Sequence, residues 1–405
     1  MIEKLTKYSI TLIYLIPILL ISGPFLPDFS ISLVCVFFLI IVFVKKEFDI
    51  FNNIYFKLFI LFCLYVCIRS LFTQDWLSIK SGVFYFRFGL FSTAVFFFLK
   101  NKKICLRKVL YVLLFCLTLL TIDSLIQFST GKNILGMEIV DPARVSSFFG
   151  KELILGSFSF RVLLLIIPLL VFFKVRERFI FLAFLFLILI TFLSSERTSV
   201  FFIICFVITY YIVSPINLRL KFAYLLIIIF AIVSLLNLST PHKERLIKAT
   251  AKSTSNFNQI PKMHLDHYTS GYRMFQNNNI FGVGPKMFRI ECQNKAINYG
   301  LIFFCSTHPH NIVIQFLSEI GLVGLAFLLL FYFFLLKIFI LFFFGKKKLE
   351  FYIFLNSLIV FINFFPLLPF GNFFNNWLSI SNYLSISILF FLYNKNFNHN
   401  NLNDN

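Results

Sequence analysis

The chain has 405 residues, of which 59% are hydrophobic and 13% are charged, and its formal net charge is +20. A soluble globular domain has about 25% charged residues, so this composition excludes one and indicates an integral membrane protein. Continuous apolar runs such as 179–193 exclude a membrane β-barrel, whose strands alternate in polarity, and leave helices as the spanning elements. In that class the positive charge indicates basic cytoplasmic loops and no nucleic-acid partner.

Apolar runs that approach the roughly 20 residues needed to span a bilayer recur along the whole chain. They predict an all-α integral membrane protein with about 12 transmembrane helices, at 8–24, 29–44, 54–72, 80–99, 108–128, 153–173, 178–193, 198–213, 221–238, 310–344, 349–368 and 375–393. The resulting division is 1–238 for helices one to nine, 239–309 for a large loop, 310–393 for helices ten to twelve, and 394–405 for an Asn-rich tail predicted to be unstructured.

Charge in the connecting loops predicts the orientation. Lysine and arginine are dense in every second connection, at 45–46, 100–108, 174–178, 219–221 and 346–348. The alternate connections have few basic residues in their short members, and they are 23–29, 73–78, 129–152, 194–199, 239–309 and 370–375. By the positive-inside rule both termini are cytoplasmic and the large loop is external. An even number of helices also places both termini on one side.

The large loop of roughly 70 residues is far longer than an ordinary connection, which marks it as functional or disordered. Its first part, around 248–259, is polar and predicted to be mobile. Its second part predicts a short helix through Tyr272–Gln276 and a turn at 282–285. Cys292 and Cys305 both lie in it, and an external position would allow a disulfide between them.

Arginines recur on the predicted external side. Arg197 lies in the turn between helices seven and eight, Arg273 lies in the large loop, and Arg69, Arg87 and Arg161 lie within spans. An arginine inside a span is costly and normally has a partner. Two interpretations stay open for Arg87 and Arg161: an ion pair with Asp123, or a cavity in which several guanidinium groups bind an anionic ligand such as a phosphate.

The most unusual stretch is His308-Pro309-His310-Asn311, at the mouth of the tenth helix, followed by Gly321-x-x-Gly324. A metal site would need further ligands, for which the candidates are His264, Asp266, His267, Glu291 and Glu319, and no recognised metal-binding spacing is complete. The alternative interpretation of His310 is that it caps the start of the tenth helix. The two glycines favour close helix packing.

His310-Asn311, nine residues and then Gly321-x-x-Gly324 resemble the signature of the O-antigen ligase family, bacterial membrane glycosyltransferases that use polyprenyl-diphosphate-linked glycans. Ser194-Ser195-Glu196-Arg197 resembles the family's Ser-x-x-Arg turn. Gly271-Tyr272-Arg273 with Ile280-Phe281-Gly282-Val283-Gly284 resembles its arginine- and glycine-containing loop segment, although a proline is common where Ile280 and Phe281 stand. The resemblance covers about 194–330 and extends to O-antigen polymerases.

The resemblance implies the membrane glycosyltransferase C-type fold in the bacterial inner membrane, with the site on the periplasmic side. It implies inverting, metal-independent and cofactor-free transfer of a glycan from undecaprenyl diphosphate to a sugar hydroxyl of lipid A–core. His310 would be the catalytic base, and the residues expected to bind substrate are Arg197, Arg273, His308, Arg87, Arg161 and Asn311.

Two alternatives remain. An O-antigen or exopolysaccharide polymerase would use the same lipid-linked donor with a glycan acceptor. A transporter of polyprenyl-linked or other organic anions would show related halves, and 1–200 shows no such pairing with 201–405.

Overall fold

The computed structural model describes residues 1–238, 240–248, 262–345 and 349–403. All regular elements within these residues are helical, apart from two isolated β-bridges between 132 and 144. The stretch predicted to be mobile, 248–259, lies outside the described residues except for its first residue, and so does the predicted cytoplasmic lysine cluster at 346–348.

The part of the chain before the large loop is a series of mostly apolar helices joined by short connections. They are α1 (Ile2–Leu19), α2 (Phe25–Lys45), α3 (Ile54–Leu71), α4 (Trp76–Val83), α5 (Phe86–Lys100), α6 (Leu106–Thr130), α7 (Leu155–Arg161), α8 (Ile166–Phe172), α9 (Glu177–Ser194), α10 (Arg197–Val213) and α11 (Leu218–Leu238). In this arrangement α9 packs against α6, α7 and α10.

The rest of the chain contributes one polar helix and three apolar ones. The polar helix in the large loop is α12 (Lys262–Asn277), and the apolar helices are α13 (Gly321–Phe344), α14 (Phe351–Asn363) and α15 (Asn376–Asn403). A turn of α-helix, Ile312–Gln315, and a π-helical turn, Phe316–Ile320, lead into α13. The last helix, α15, packs against α5 and α14.

Eight helical segments in the described residues are long and apolar enough to cross a membrane, by length and composition. They are Phe25–Lys45, Ile54–Leu71, Trp76–Lys100, Leu106–Thr130, Leu155–Phe172, Glu177–Ser194, Leu218–Asn237 and Ile312–Phe344. Two shorter apolar helices, Arg197–Val213 and Phe351–Asn363, also fall on predicted spans. The all-helical, multi-pass class is therefore confirmed, and the count of twelve spans stays a prediction.

Prolines explain where the predicted helices differ from the observed ones. The sixth predicted span is divided by a 3₁₀ turn at Leu163–Leu165, where Pro168 lacks the N–H that would bond four residues back. The eleventh ends at Asn363 because the chain reaches Pro366 shortly afterwards. The last helix, in contrast, is longer than predicted. It continues to Asn403, so the tail predicted to be unstructured is helical as far as the structure describes it.

The large loop has a small apolar core of its own. Met274 on α12 packs with Val283, Met287 and Phe288, and the cluster also contains Cys292 and Ile297. Cys292 and Cys305 are joined by a disulfide, as the sequence allowed. The predicted helix through 272–276 is part of the longer α12.

Backbone hydrogen bonds join this loop to the start of α13. Val283 and Gly284 donate to the carbonyls of Ser318 and Glu319, over 2.8 and 2.7 Å. Gly321 has a φ of +62°, and a Cβ there would collide with the carbonyl of Ile280. The interpretation of Gly321 as a helix-packing residue is therefore wrong, because the backbone it admits belongs to the loop.

The nearest neighbour of the other glycine is in its own chain segment. A Cβ at Gly324 would first meet the side chain of Ile320, one turn earlier. Helix packing by Gly324 stays a prediction.

Candidate functional site

Four histidines meet where the large loop approaches the start of α13. His264 and His267 are three residues apart on α12 and so share one helix face. The ring centroid of His310 lies 4.1 Å from that of His308, 5.2 Å from that of His267 and 5.6 Å from that of His264. These four residues are called the histidine group below.

His310 is held in a defined orientation. Its φ is +56°, a left-handed backbone conformation that is uncommon outside glycine. Its carbonyl accepts a hydrogen bond from the N–H of Phe370 over 2.9 Å, and its Nε2 lies 3.0 Å from the hydroxyl of Ser306. Both backbone and ring are therefore fixed by neighbours, and unusual backbone conformations of this kind cluster at functional sites.

His308 is more fully engaged than His310. Its Nε2 donates to the carbonyl of Phe370 over 3.0 Å, since a carbonyl can only accept. Its Nδ1 consequently accepts from the hydroxyl of Thr307 over 2.9 Å. Both ring nitrogens of His308 are therefore hydrogen-bonded, and its side chain is held in a fixed position beside His310.

Burial keeps the histidine group neutral. It lowers the pKa of His310 to about 3, and the nearby imidazoles of His308, His267 and His264 lower that pKa further. Burial likewise lowers the pKa of His308 to about 4, partly offset by its bond to Phe370. At neutral pH the ring of His310 therefore has a lone pair that can accept a proton.

Two polar atoms in the histidine group have no hydrogen-bond partner. Among the described residues, Nδ1 of His264 and Nδ1 of His267 are buried and unpartnered. Buried polar atoms are normally satisfied, so two unpartnered atoms within one group are unusual.

A cavity of about 370 Å³ opens beside His310 and His267. Its wall is formed mainly by the segment that the disulfide closes, including Gln293, Phe303 and Phe304, and by Ser306 immediately after Cys305. The volume is at the small end of the range for ligand pockets. Aromatic faces combined with an amide and a hydroxyl suit a ligand that is partly apolar and rich in hydrogen-bonding groups.

Arg197 begins α10, next to a turn held by Glu196. The carboxylate of Glu196 accepts from the N–H of Gly156 over 2.9 Å and from the hydroxyl of Ser157 over 2.7 Å. Arg197 is also among the groups that lower the pKa of His264, after burial and His267, so its charge lies within electrostatic range of the histidine group. The structure thus brings Arg197 and His310 into one region.

Arg273 is engaged elsewhere in the large loop. Its Nη1 donates to the carbonyls of Ile297 and Tyr299, over 2.9 and 2.7 Å. These bonds hold the end of the short helix Lys295–Asn298. The contact of Arg273 with a diphosphate stays a prediction.

Neither Arg87 nor Arg161 pairs with Asp123, so that interpretation is wrong for both. Arg87 forms a salt bridge with Asp28 at 2.8 Å. Asp123 accepts instead from the hydroxyl of Ser147 and from the N–H of Ile134. The chain between α6 and α7 folds back onto α6 and uses this carboxylate locally.

Arg161 is buried beside Phe370, which contacts the histidine group. Its Nη1 donates to the carbonyl of Asn363 over 3.0 Å, and its guanidinium lies 5.2 Å from the ring centroid of Phe370. Phe370 is the residue whose backbone bonds to both His308 and His310. Arg161 therefore contacts the segment that supports the histidines.

Asn311 is the N-cap of the helical turn that follows it. Its Oδ1 accepts from the N–H of Ile314 over 3.1 Å, and its amide donates to the carbonyl of Pro366 over 2.7 Å. Both ends of its side chain serve the fold. A substrate contact by Asn311 stays a prediction.

Two of the acidic candidates for a metal site accept hydrogen bonds from the protein. Glu319 accepts from the N–H of Phe288 and the side-chain amide of Gln315, and Asp266 accepts from the N–H groups of Ile302 and Phe303. In the part of the chain that the structure describes, no group of three or more His, Cys, Asp or Glu side chains is arranged to hold a metal ion.

The stretch that carries this geometry matches a known protein family. Residues 182–329 match the family model described as O-antigen ligase. The chain carries an O-antigen ligase family domain. A search of curated proteins found no match.

The O-antigen ligase domain extends from α9 into α13 and contains the whole histidine group together with Arg197 and Arg273. The family resemblance seen in the sequence is thereby confirmed. With the apolar helices, it identifies a multi-pass membrane protein.

Some residues near His310 could not be predicted from the sequence. Ser306 and Gln293 are not part of a recognisable motif, and only the structure shows them at the cavity beside His310. His264 and His267 were considered solely as metal ligands. The sequence signal that could have suggested their position is the three-residue spacing of two histidines on a polar helix.

Proposed function

We propose that this protein transfers a glycan from an undecaprenyl-diphosphate carrier to a sugar hydroxyl of lipid A–core, at the periplasmic face of the bacterial inner membrane. The observation that carries the proposal is a neutral His310 beside a cavity of about 370 Å³, within the O-antigen ligase domain and near Arg197. The oxygen of the acceptor hydroxyl attacks the anomeric carbon, the bond from that carbon to the diphosphate breaks, and the proton passes to His310.

His310 acts as the general base. A base must be within hydrogen-bond reach of the proton and must hold a free lone pair. The proposed tautomer is the one in which Nε2–H donates to the hydroxyl of Ser306, 3.0 Å away, which leaves Nδ1 to accept the proton. Such assistance typically accelerates a reaction by about 10²–10⁴-fold.

Arg197 stabilises the diphosphate leaving group. Fixed positive charge in a partly buried site offsets the negative charge that develops on the departing oxygen. The bound diphosphate also acts on the base, since a nearby anion favours the protonated imidazole and raises the pKa of His310 from its low value. Donor binding thus brings the base closer to the pKa range in which proton transfer is efficient.

The acceptor sugar occupies the cavity formed by the disulfide-closed segment. Phe303 and Phe304 offer aromatic faces to the apolar side of a sugar ring, and Gln293 offers an amide to its hydroxyl groups.

Replacing His310 by alanine tests the proposal. His310→Ala is expected to reduce glycan attachment by at least about 10²-fold, because the general base is lost. The measurement is the amount of glycan-bearing lipid A–core on gels from a deletion strain that expresses the variant, together with the membrane level of the protein. The control, Lys295→Ala, removes a nearby loop residue at the start of a short helix and should leave attachment unchanged.

Attachment retained by His310→Ala at normal protein levels would remove His310 from the mechanism. The deletion strain also distinguishes the polymerase alternative. Loss of all O-antigen from the core indicates a ligase, whereas core carrying a single repeat unit indicates a polymerase.

A further inference from the structure

A second cavity, of about 840 Å³, lies between α3, α5, α13 and α15, away from the histidine group. Its walls are largely aromatic, with Phe59, Phe62, Phe96, Phe331 and Phe390 among the lining residues. Because most of its lining is apolar, the cavity favours an apolar occupant over water.

One end of the cavity is basic. Lys100 and Lys102 at the end of α5 and Lys395 on α15 line it, together with the single acidic residue Asp49. Three positive charges against one negative charge give this end a net charge of +2. It belongs to the side of the bundle that the loop charges predict to be cytoplasmic.

The other end reaches the segment that supports the histidine group. Phe316 and Phe373 line it, with ring centroids 4.7 Å apart. The N–H of Phe373 donates to Gln315 over 2.9 Å, and Gln315 donates in turn to Asn372 over 3.0 Å. Asn372 donates in turn to the carbonyl of Thr307, next to His308, over 3.3 Å, so hydrogen-bonded side chains connect this end of the cavity to the histidine group.

We propose that this cavity binds an anionic phospholipid from the leaflet on the basic side of the protein, with an acyl chain between the aromatic walls. Its head-group phosphate lies at Lys100 and Lys102. Apolar walls with cations confined to one end match the polarity of such a lipid, and lysines at a membrane surface attract anionic head groups.

The polyprenyl donor does not suit this position. Its diphosphate must reach the histidine group, whereas the cationic end of this cavity lies at Lys100 and Lys102, beyond the aromatic walls from Phe316 and Phe373. An acyl chain here packs against Phe316 and Phe373 and so stabilises Gln315 and Asn372. The lipid then acts as a structural ligand that favours the folded state by mass action.

Lipid analysis of the purified full-length chain tests this inference. The protein is extracted in a mild detergent, and co-purifying lipids are quantified by mass spectrometry. Anionic phospholipid is expected in stoichiometric amount. Thr93→Trp, which places a large ring in the cavity, is expected to reduce it several-fold.

A second variant, which changes only charge, keeps the test valid if Thr93→Trp does not fold. Lys100→Gln combined with Lys102→Gln is expected to lower the ratio of anionic to zwitterionic phospholipid. Lys103→Gln combined with Lys108→Gln, which removes the same charge outside the cavity, is expected to leave that ratio unchanged. Equal lipid retention in all variants, or a polyprenyl phosphate as the retained lipid, would overturn the inference. Glycan transfer is not part of the readout, so failure of the proposed function leaves this result interpretable.

Discussion

At the scale of single residues, Ser306 contacts His310, the base in the proposed function. Its hydroxyl lies 3.0 Å from Nε2 of His310, and its position is fixed by Cys305 immediately before it. Ser306→Ala is expected to lower kcat on the order of tenfold with little change in KM, because one hydrogen bond contributes about 1 kcal/mol. Steady-state kinetics with a lipid-linked donor measures both constants.

Ser306→Thr is the matched control, since it keeps the hydroxyl. Rescue of kcat by threonine is expected for a residue that orients His310. An equal loss in both variants, or a change confined to KM, would contradict that role.

The buried histidines also make stability depend on pH. The pKa of His310 is lowered to about 3 and that of His308 to about 4, whereas a histidine in an unfolded chain titrates near 6.5. Below about pH 6.5 the unfolded state therefore binds more protons than the folded state, and folding stability falls as the pH falls toward the folded-state values. The melting temperature in detergent is expected to decrease between about pH 7 and about pH 5.

His310→Asn removes one of these groups and should flatten that dependence. If the melting temperature of the variant changed with pH as steeply as that of the wild type, the pKa of His310 would not be lowered in the folded state. His242→Asn provides a comparison at a buried histidine outside the histidine group, whose pKa is also lowered by burial.

Motif residues could be located in the sequence, whereas tertiary contacts could not. His310 and Arg197 were predicted as site residues from their resemblance to the O-antigen ligase signature, and their roles stay predictions. The contacts of His310 with His264 and His267 join positions more than 40 residues apart, and no local pattern specifies them. The ion-pair interpretation of Arg87 named Asp123 instead of Asp28 for the same reason.

At the scale of elements, the joint between the large loop and α13 depends on one glycine. Gly321→Ala is expected to destabilise the protein by more than about 1 kcal/mol, because its φ is positive and the added methyl group meets the carbonyl of Ile280. Thermal unfolding in detergent measures the loss.

Gly300→Ala isolates the contribution of the contact. Gly300 also has a positive φ, of +72°, but a Cβ there has no atom within 4 Å among the described residues. Its cost is therefore backbone strain alone. Equal destabilisation by the two variants would show that the approach of Ile280 contributes nothing.

Element positions were predicted better than element ends. Apolar runs located the helices because burial in lipid or in the bundle requires them. The division between α7 and α8 and the π-helical turn before α13 were missed, since both keep the hydrophobicity of a continuous helix while changing its hydrogen bonding.

At the scale of the whole molecule, Asp28 joins three distant helices. Its carboxylate accepts from Arg87 on α5 and from the amide of Asn376 on α15, while Asp28 itself lies on α2. Asp28→Asn is expected to destabilise the bundle by about 1–3 kcal/mol, because Arg87 would keep its charge in a partly buried place without a counter-ion. Thermal unfolding in detergent measures the effect.

The comparison is the exposed pair of Lys45 with Glu47, at 3.8 Å. Glu47→Gln is expected to change stability by less than about 1 kcal/mol, as exposed ion pairs contribute little. A loss for Asp28→Asn no larger than this would show that the three-helix connection is not stabilising.

The class of the molecule followed from composition, whereas its internal arrangement did not. Hydrophobic content required an all-helical membrane protein, and the charge of alternate loops predicted its orientation. Neither feature indicates that α5 packs between α2 and α15, because helices that are apolar on nearly every face have many possible neighbours.

The disulfide between Cys292 and Cys305 has a consequence for biogenesis. It closes the segment that lines the cavity beside His310, and this closure requires the oxidation of two thiols. That reaction occurs in an oxidising compartment and is suppressed in the cytosol. In the orientation that the loop charges predict, this bond forms only after the large loop has been translocated, so under the proposed function oxidation of the loop would come before glycan transfer.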